Sequence, residues 1–346
     1  MSKLRSLNPA LGAVKSSLAY GFSSITNPEL GQAIIDKLDL KSKYPDGSKL
    51  EIVDCESGTG FLSTMINYEL KPRKHVIIDN RRYTAQSWRN TIKHLKETTG
   101  NVENFHFLNA NMAVWSIFTE MIRDKTIQPR KIPLARENDE LLIIGNCTNG
   151  SGELHLANWI NCCGNGNWLM RYGKVRMIVY SRTNTIDKFF NEPGFHLRNR
   201  SALKRELFTD YKLIAIPEGK PHGSQFDPRV LYRDQPLLMH KKDTSGPEFG
   251  IVELVQNGRR FSQIESIEPY LSMMFQRKFY YIKDFLHILA PGAEALAEYL
   301  PKEILEKRPL DLVPEDILKF EECYQKWPFK PPISDIIPAG EMALEL

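Results

Sequence analysis

The chain has 346 residues, 42% hydrophobic and 25% charged, which is enough apolar mass for about two domains and excludes a wholly disordered or fibrous protein. Its net charge of +4 is too mild to declare a nucleic-acid partner, and no apolar run approaches the ~18 residues of a membrane span. The five cysteines are scattered and never spaced C-x-x-C, so neither a disulfide framework nor a metal site is expected.

In chain order, residues 1–28 contain Lys3, Arg5 and Lys15, many Ser and Leu, and no acid. This is the composition of a mitochondrial import signal, and equally of a plain flexible terminus; residues 1–19 are the candidate targeting segment. Short β-branched or apolar runs predict strands over 50–55, 74–79, 104–108, 140–145 and 175–180. Amphipathic stretches such as 87–96 lie between them. Strands alternating with helices predict an α/β, doubly wound parallel sheet, and 212–216 with 249–255 read as a later antiparallel pair. Beyond Val255 the periodicity turns helical, over 266–289, 293–306 and 315–327, with Pro301, Pro309 and Pro314 as breaks. Residues 331–346 contain three acids, three prolines and no base, which predicts a mobile acidic tail. The expected domains are therefore 20–265, α/β, and 266–330, helical.

The first strand runs into Asp54-Cys55-Glu56-Ser57-Gly58-Thr59-Gly60, and the second ends on Asp79. A Gly-rich βα loop lets backbone approach a cofactor, and an acid one strand further on can accept two ribose hydroxyls. With no third Gly at the dinucleotide spacing and no GxxxxGK[ST], the pattern fits S-adenosylmethionine better than NAD or a nucleoside triphosphate. The plainer alternative is that Glu56 and Asp79 are only loop and strand-end residues. The histidines 75, 94, 106 and 155 show no triad or metal spacing and read as surface or satisfied side chains.

These residues resemble the rRNA adenine N6-dimethyltransferases, whose E-I-G-P-G-x-G-x-L-T loop corresponds to Asp54 to Ser63. The resemblance implies a class I, Rossmann-like methyltransferase fold with Ile25, Asp54, Glu56, Gly58, Gly60, Asp79, Asn111 and Asn146 at the methyl-donor and adenine positions. Within that superfamily, Tyr20-Gly-Phe22, Asn27-Pro28, Asp36 to Leu40, Asn167-Trp168, Gly173-Lys174-Val175, Phe208-Thr-Asp210 and Trp327-Pro-Phe-Lys330 resemble the yeast mitochondrial transcription factor B family. Membership there implies a specificity factor of the mitochondrial RNA polymerase, monomeric alone, acting in the matrix with the nucleoid. The polymerase and melted promoter DNA are the implied partners, and the tail reaches toward the polymerase active centre.

The departures from the enzymes bear on chemistry. After the fourth strand the family has Asn-Leu-Pro-Tyr, and this chain has Asn146-Cys147-Thr148-Asn149, which lacks the proline and the stacking ring a flipped adenine needs. Glu56 replaces the first loop glycine, Asn111 replaces an Asp, and Phe22-Ser-Ser-Ile25 replaces Gln-Asn-Phe-Leu. The expectation is an initiation factor with a vestigial Asn146, requiring no cofactor, with S-adenosylmethionine at most a vestigial ligand. The alternative is an active rRNA adenine N6-methyltransferase. From Arg171 to Lys212 ten bases face four acids, and the cluster Arg198, Arg200, Lys204 and Arg205 beside Phe195 and His196 is the expected nucleic-acid footprint.

Overall fold

The computed structural model describes residues 21–219, 226–259, 264–328 and 330; for 264–267 only the backbone is described. The candidate targeting segment and the acidic tail lie outside these residues. Ten strands are present among them, in chain order β1 (Ser24–Ile25), β2 (Glu51–Cys55), β3 (Lys74–Ile78), β4 (Phe105–Leu108), β5 (Glu137–Cys147), β6 (Lys174–Arg182), β7 (Thr209–Pro217), β8 (Leu237–Met239), β9 (Thr244–Ser245) and β10 (Phe249–Gln256).

Eight of these form one sheet, ordered β4-β3-β2-β5-β6-β10-β7-β8. The run from β4 to β6 is parallel, β10 inserts antiparallel between β6 and β7, and β8 adds a parallel edge. The antiparallel pair expected from the sequence is thus β7 with β10. Strand order reverses at β2, whose neighbours are β3 and β5, so the crevice outside the carboxyl ends of β2, β3 and β5 is where an open α/β sheet takes a ligand. All five residues of β2 are buried, as expected of a strand covered on both faces.

The helices follow from their apolar spacing. In Arg82–Thr98 the residues at 84, 85, 88, 91 and 95 are buried at three- and four-residue steps, and Trp88 and Leu95 pack with Ile77 and Phe105 in a core cluster of their own. Each such side chain contributes about 1.5–3 kcal/mol when fully buried. The short β1 pairs antiparallel with β9 and carries Ile25 into the main core cluster with Ile34, Ile52 and Leu62. Ile25 is therefore a core residue, its side chain buried among apolar neighbours.

The chain divides into two compact units, and the division differs from the one expected. The segment Asp187–Leu207 belongs with the C-terminal helices rather than with the α/β unit, which comprises the residues up to Ile186 and Phe208–Arg259. A charged residue explains the grouping. Arg198 is fully buried, donates from Nη1 to the Asn191 carbonyl at 2.9 Å and from Nη2 to the Leu312 carbonyl at 2.9 Å, and pairs with Glu206 at 2.6 Å. The core of this second unit includes the rings of Tyr270, Phe320, Tyr324 and Trp327.

The continuous helix expected over 266–289 is interrupted. Ile264–Gln276 ends in a turn, a single 3-10 turn follows at Ile282–Asp284, and α-helix resumes only at Leu286–Leu289. The backbone is drawn aside because the Ile282 amide donates to the Lys307 carbonyl at 2.9 Å while its side chain is fully buried. The aromatic run Phe279-Tyr280-Tyr281 adds little helix propensity to resist this.

Candidate functional site

The loop at the carboxyl end of β2 keeps the backbone of a glycine-rich cradle. Glu56 has φ of +55°, Gly58 +62° and Gly60 +74°. A glutamate in the left-handed region costs on the order of 1–3 kcal/mol relative to glycine. Its carboxyl group is buried and held by Asn149, whose Nδ2 donates to Oε2 at 2.8 Å. Burial pushes the Glu56 acid up to about 7; Arg81 opposes the shift and Asp79 adds to it.

The two loop glycines are packed against this chain's own side chains. A Cβ on Gly60 would lie 2.4 Å from the Trp88 ring, and one on Gly58 would lie 2.7 Å from Ser24 Oγ. Trp88 Nε1 in turn donates to Ser57 Oγ at 2.8 Å, closing the loop from outside. Asp54, at the end of β2, is fully buried and accepts from His75 Nε2 at 3.2 Å. Asn67 Nδ2 meets His75 Nδ1 at 3.2 Å and donates to the Glu103 carbonyl at 2.8 Å. An amide nitrogen can only donate, so it fixes His75 as the tautomer carrying its proton on Nε2. His75 is thus a satisfied core histidine, and the pair ties β2 to β3.

Asp79 decides the fit to a nucleoside. It is buried, and both of its oxygens are taken by Arg81. The Arg81 backbone amide and Nε donate to Oδ1 at 2.9 and 3.0 Å, and Nη2 donates to Oδ2. The guanidinium also lies 3.3 Å over the ring of Phe22, which replaces the family's glutamine. A ribose would have to displace charge-assisted bonds worth about 1.5–3 kcal/mol each. Neither Arg81 nor Phe22 was expected among the site residues from the sequence. The D-x-R spacing could have drawn attention to Arg81, whereas Phe22 is brought to it only by the fold.

Asn146 is committed as well. Its Nδ2 donates to the Ser23 carbonyl at 2.8 Å, and its Oδ1 accepts from Thr148 Oγ1 at 2.6 Å. Thr148 Oγ1 accepts from the Ser23 amide at 2.8 Å, so both side chains pin the segment that precedes β1. Arg182 Nε donates to the Thr148 carbonyl, so that backbone oxygen is occupied too. Asn111 is exposed and caps its own turn by accepting from the Ala113 amide at 3.0 Å. The structure therefore brings Glu56, Gly58, Asp79 and Asn146 to one end of the sheet, where Asp79 and Asn146 are already bonded within the protein, while Asp54 Oδ1 is buried without a partner. As bonded here, Asp79 and Asn146 do not fit S-adenosylmethionine.

Two of the four bases of the expected nucleic-acid footprint are turned inward. Arg198 is fully buried and Arg205 is buried with Nε donating to the Phe189 carbonyl at 3.0 Å, because both hold the second unit together. Arg200 and Lys204 share Glu268, at 3.1 and 2.9 Å. Among the described residues no cluster of three metal-ligating side chains occurs, and no helix is long and apolar enough to cross a membrane. The five cysteines are free and buried.

The fold and the loop geometry point to one family, and its model, described as ribosomal RNA adenine dimethylase, matches residues 14–326. The chain belongs to the ribosomal RNA adenine dimethylase family. Within it, the chain is 26% identical over 325 residues to mitochondrial transcription factor 1 of Saccharomyces cerevisiae, covering 92% of each protein. It is 25% identical over 328 residues to the protein of that name in Lachancea kluyveri, covering 93% of this chain and 94% of that one. A dimethyladenosine transferase from Plasmodium falciparum shares the fold, with a TM-score of 0.57 at 14% identity over 87% of this chain and 97% of the other. Membership in the dimethylase family accounts for the backbone of the loop, while Glu56, Arg81 and Phe22 account for its altered chemistry.

Proposed function

We propose that this chain is a mitochondrial transcription initiation factor that binds the mitochondrial RNA polymerase, confers promoter recognition and helps melt promoter DNA at the start site. It works in the matrix, with the nucleoid, and requires no S-adenosylmethionine. Similarity along nearly the whole length to proteins named mitochondrial transcription factor 1 supports the role. The observation that separates this reading from rRNA adenine methylation is the Arg81 fork on Asp79. A methyltransferase needs that acid for the donor's ribose, and here the protein spends it on itself. The retained Asn146 does not restore the alternative, because its amide is bonded to Ser23 and Thr148.

The test is run-off transcription by the cognate polymerase on duplex and pre-melted promoters, with and without S-adenosylmethionine. The factor should stimulate initiation, more on duplex than on pre-melted template, and equally with or without the methyl donor. Asp79→Asn, which keeps an acceptor for Arg81, should retain most of this activity. Dependence on the methyl donor, or methyl transfer to an rRNA fragment, would overturn the reading.

A further inference from the structure

The second unit carries an exposed feature that neither the cleft nor its own core uses. Phe279, Tyr280 and Tyr281 are consecutive and 58%, 58% and 49% exposed. Isolated exposed rings are ordinary on a protein surface, but three in succession are not. The chain is fixed on both sides of them. Before the run, Lys278 Nζ donates to the His196 and Arg198 carbonyls at 2.9 and 3.2 Å; after it, Ile282 is buried and bonded to Lys307. The anchors leave the three rings outside by construction.

Cations accompany the rings. Lys278 Nζ lies 5.1 Å from the Phe279 ring centre and Lys283 Nζ 5.5 Å from that of Tyr281, and Arg277 and Lys283 are exposed. Between Glu268 and Asp284 the sequence has three bases and no acid. The Lys278 bonds also bring alongside the paired rings of Phe195 and His196, whose centres are 4.6 Å apart. Rings interleaved with cations are what an unpaired strand meets when its bases stack and its phosphates are neutralised.

We propose that the turn 277–283, with Phe195 and His196, is a stacking platform for a single DNA strand. Bases lie on Phe279, Tyr280 and Tyr281 while Arg277 and Lys283 face the phosphates. This moves the nucleic-acid footprint from the buried Arg198 and Arg205 to a surface that no sequence motif marks. The choice of DNA rests on the promoter-melting reading above; the ring and cation chemistry does not depend on it.

The test is fluorescence anisotropy on the full chain with a labelled strand of about 16 nucleotides and its duplex, in the absence of polymerase. Replacing all three rings (Phe279→Ala, Tyr280→Ala, Tyr281→Ala) should weaken single-strand binding about tenfold or more and change duplex binding less than twofold. Tyr280→Phe with Tyr281→Phe should keep wild-type affinity. Arg277→Gln with Lys283→Gln should flatten the slope of log K against log salt by about 0.7 for each phosphate no longer neutralised. Unchanged single-strand affinity in a triple variant that melts like the wild type would overturn the proposal. So would equal losses on strand and duplex. Because no polymerase is present in the binding arm, its outcome is independent of whether the chain supports transcription.

Discussion

The cleft at the end of β2 and the turn at 277–283 both bring bases and rings together, and dispose of them in opposite ways. In the cleft, Asp79 is buried under Arg81, Arg81 lies on Phe22, and Glu56 is held by Asn149. In the turn, three rings stand in solvent between fixed anchors, flanked by exposed Arg277 and by Lys283, which lies 4.0 Å from Glu306. A buried charge must find a partner within the chain, and at the family's ligand site Asp79 and Glu56 find theirs in Arg81 and Asn149. An exposed ring carries no such obligation and remains available to something outside.

The sharpest way to break that contrast is at Arg198. Removing it by Arg198→Ala leaves Glu206 and two carbonyls without their donor, and breaking a buried pair costs about 3–5 kcal/mol. Urea denaturation should show this loss, with no change in the salt dependence of DNA binding. A stable variant with a flattened salt slope would return Arg198 to the surface.

The next effect is a pH dependence from Glu56. Folded, the acid holds its proton up to about pH 7; unfolded, it releases it near the ordinary glutamate value of about 4.3. Unfolding between those values therefore releases a proton, and stability falls as pH rises through that window. The loss is on the order of 3 kcal/mol, complete above pH 7. Glu56→Gln should remove this component, so that the variant exceeds the wild type in urea midpoint at pH 8 and matches it at pH 4. An unchanged pH profile in the variant would show that Glu56 is solvated.

A smaller effect sharpens the account of the cleft. Glu56→Gly with Arg81→Ala relieves the left-handed glutamate, frees Asp79 Oδ2 and leaves Oδ1 with only the backbone amide of residue 81. Calorimetry should then register binding of S-adenosylmethionine by the double variant above that of the wild type. Equal heats would mean that Phe22 and Ser24 close the site by themselves. Smallest of all, Arg200→Gln should shift stability by less than about 1 kcal/mol, since its bond to Glu268 is half-exposed.

The sheet was legible because β2, β3, β5 and β6 are nearly continuous apolar runs, and the acid ending the second run marks the switch point. The two-residue pair β1–β9 and the three-residue β8 were not, since no periodicity exists over such lengths. Among the site residues, Glu56 and Asp79 were found by spacing and Asn146 by the family resemblance, but their present partners were not. Ser23 is 123 residues from Asn146, and Asn149 is 93 from Glu56. Arg198 and Arg205 misled for a related reason. A run of bases looks solvated unless the carbonyls that receive them, one of them at Leu312, are known to lie alongside.

The grouping of Asp187–Leu207 with residues from 260 onward has a consequence during synthesis. The segment leaves the ribosome before the whole of Phe208–Arg259, and the Leu312 carbonyl that caps Arg198 comes later still. At about 5–20 residues per second, the guanidinium waits roughly 6–23 seconds for that acceptor. The α/β unit is complete once Arg259 has emerged, so it can form around an unfinished excursion. The helical unit cannot mature in chain order, and a fragment beginning at 260 would lack the arginine that its own carbonyl was placed to receive.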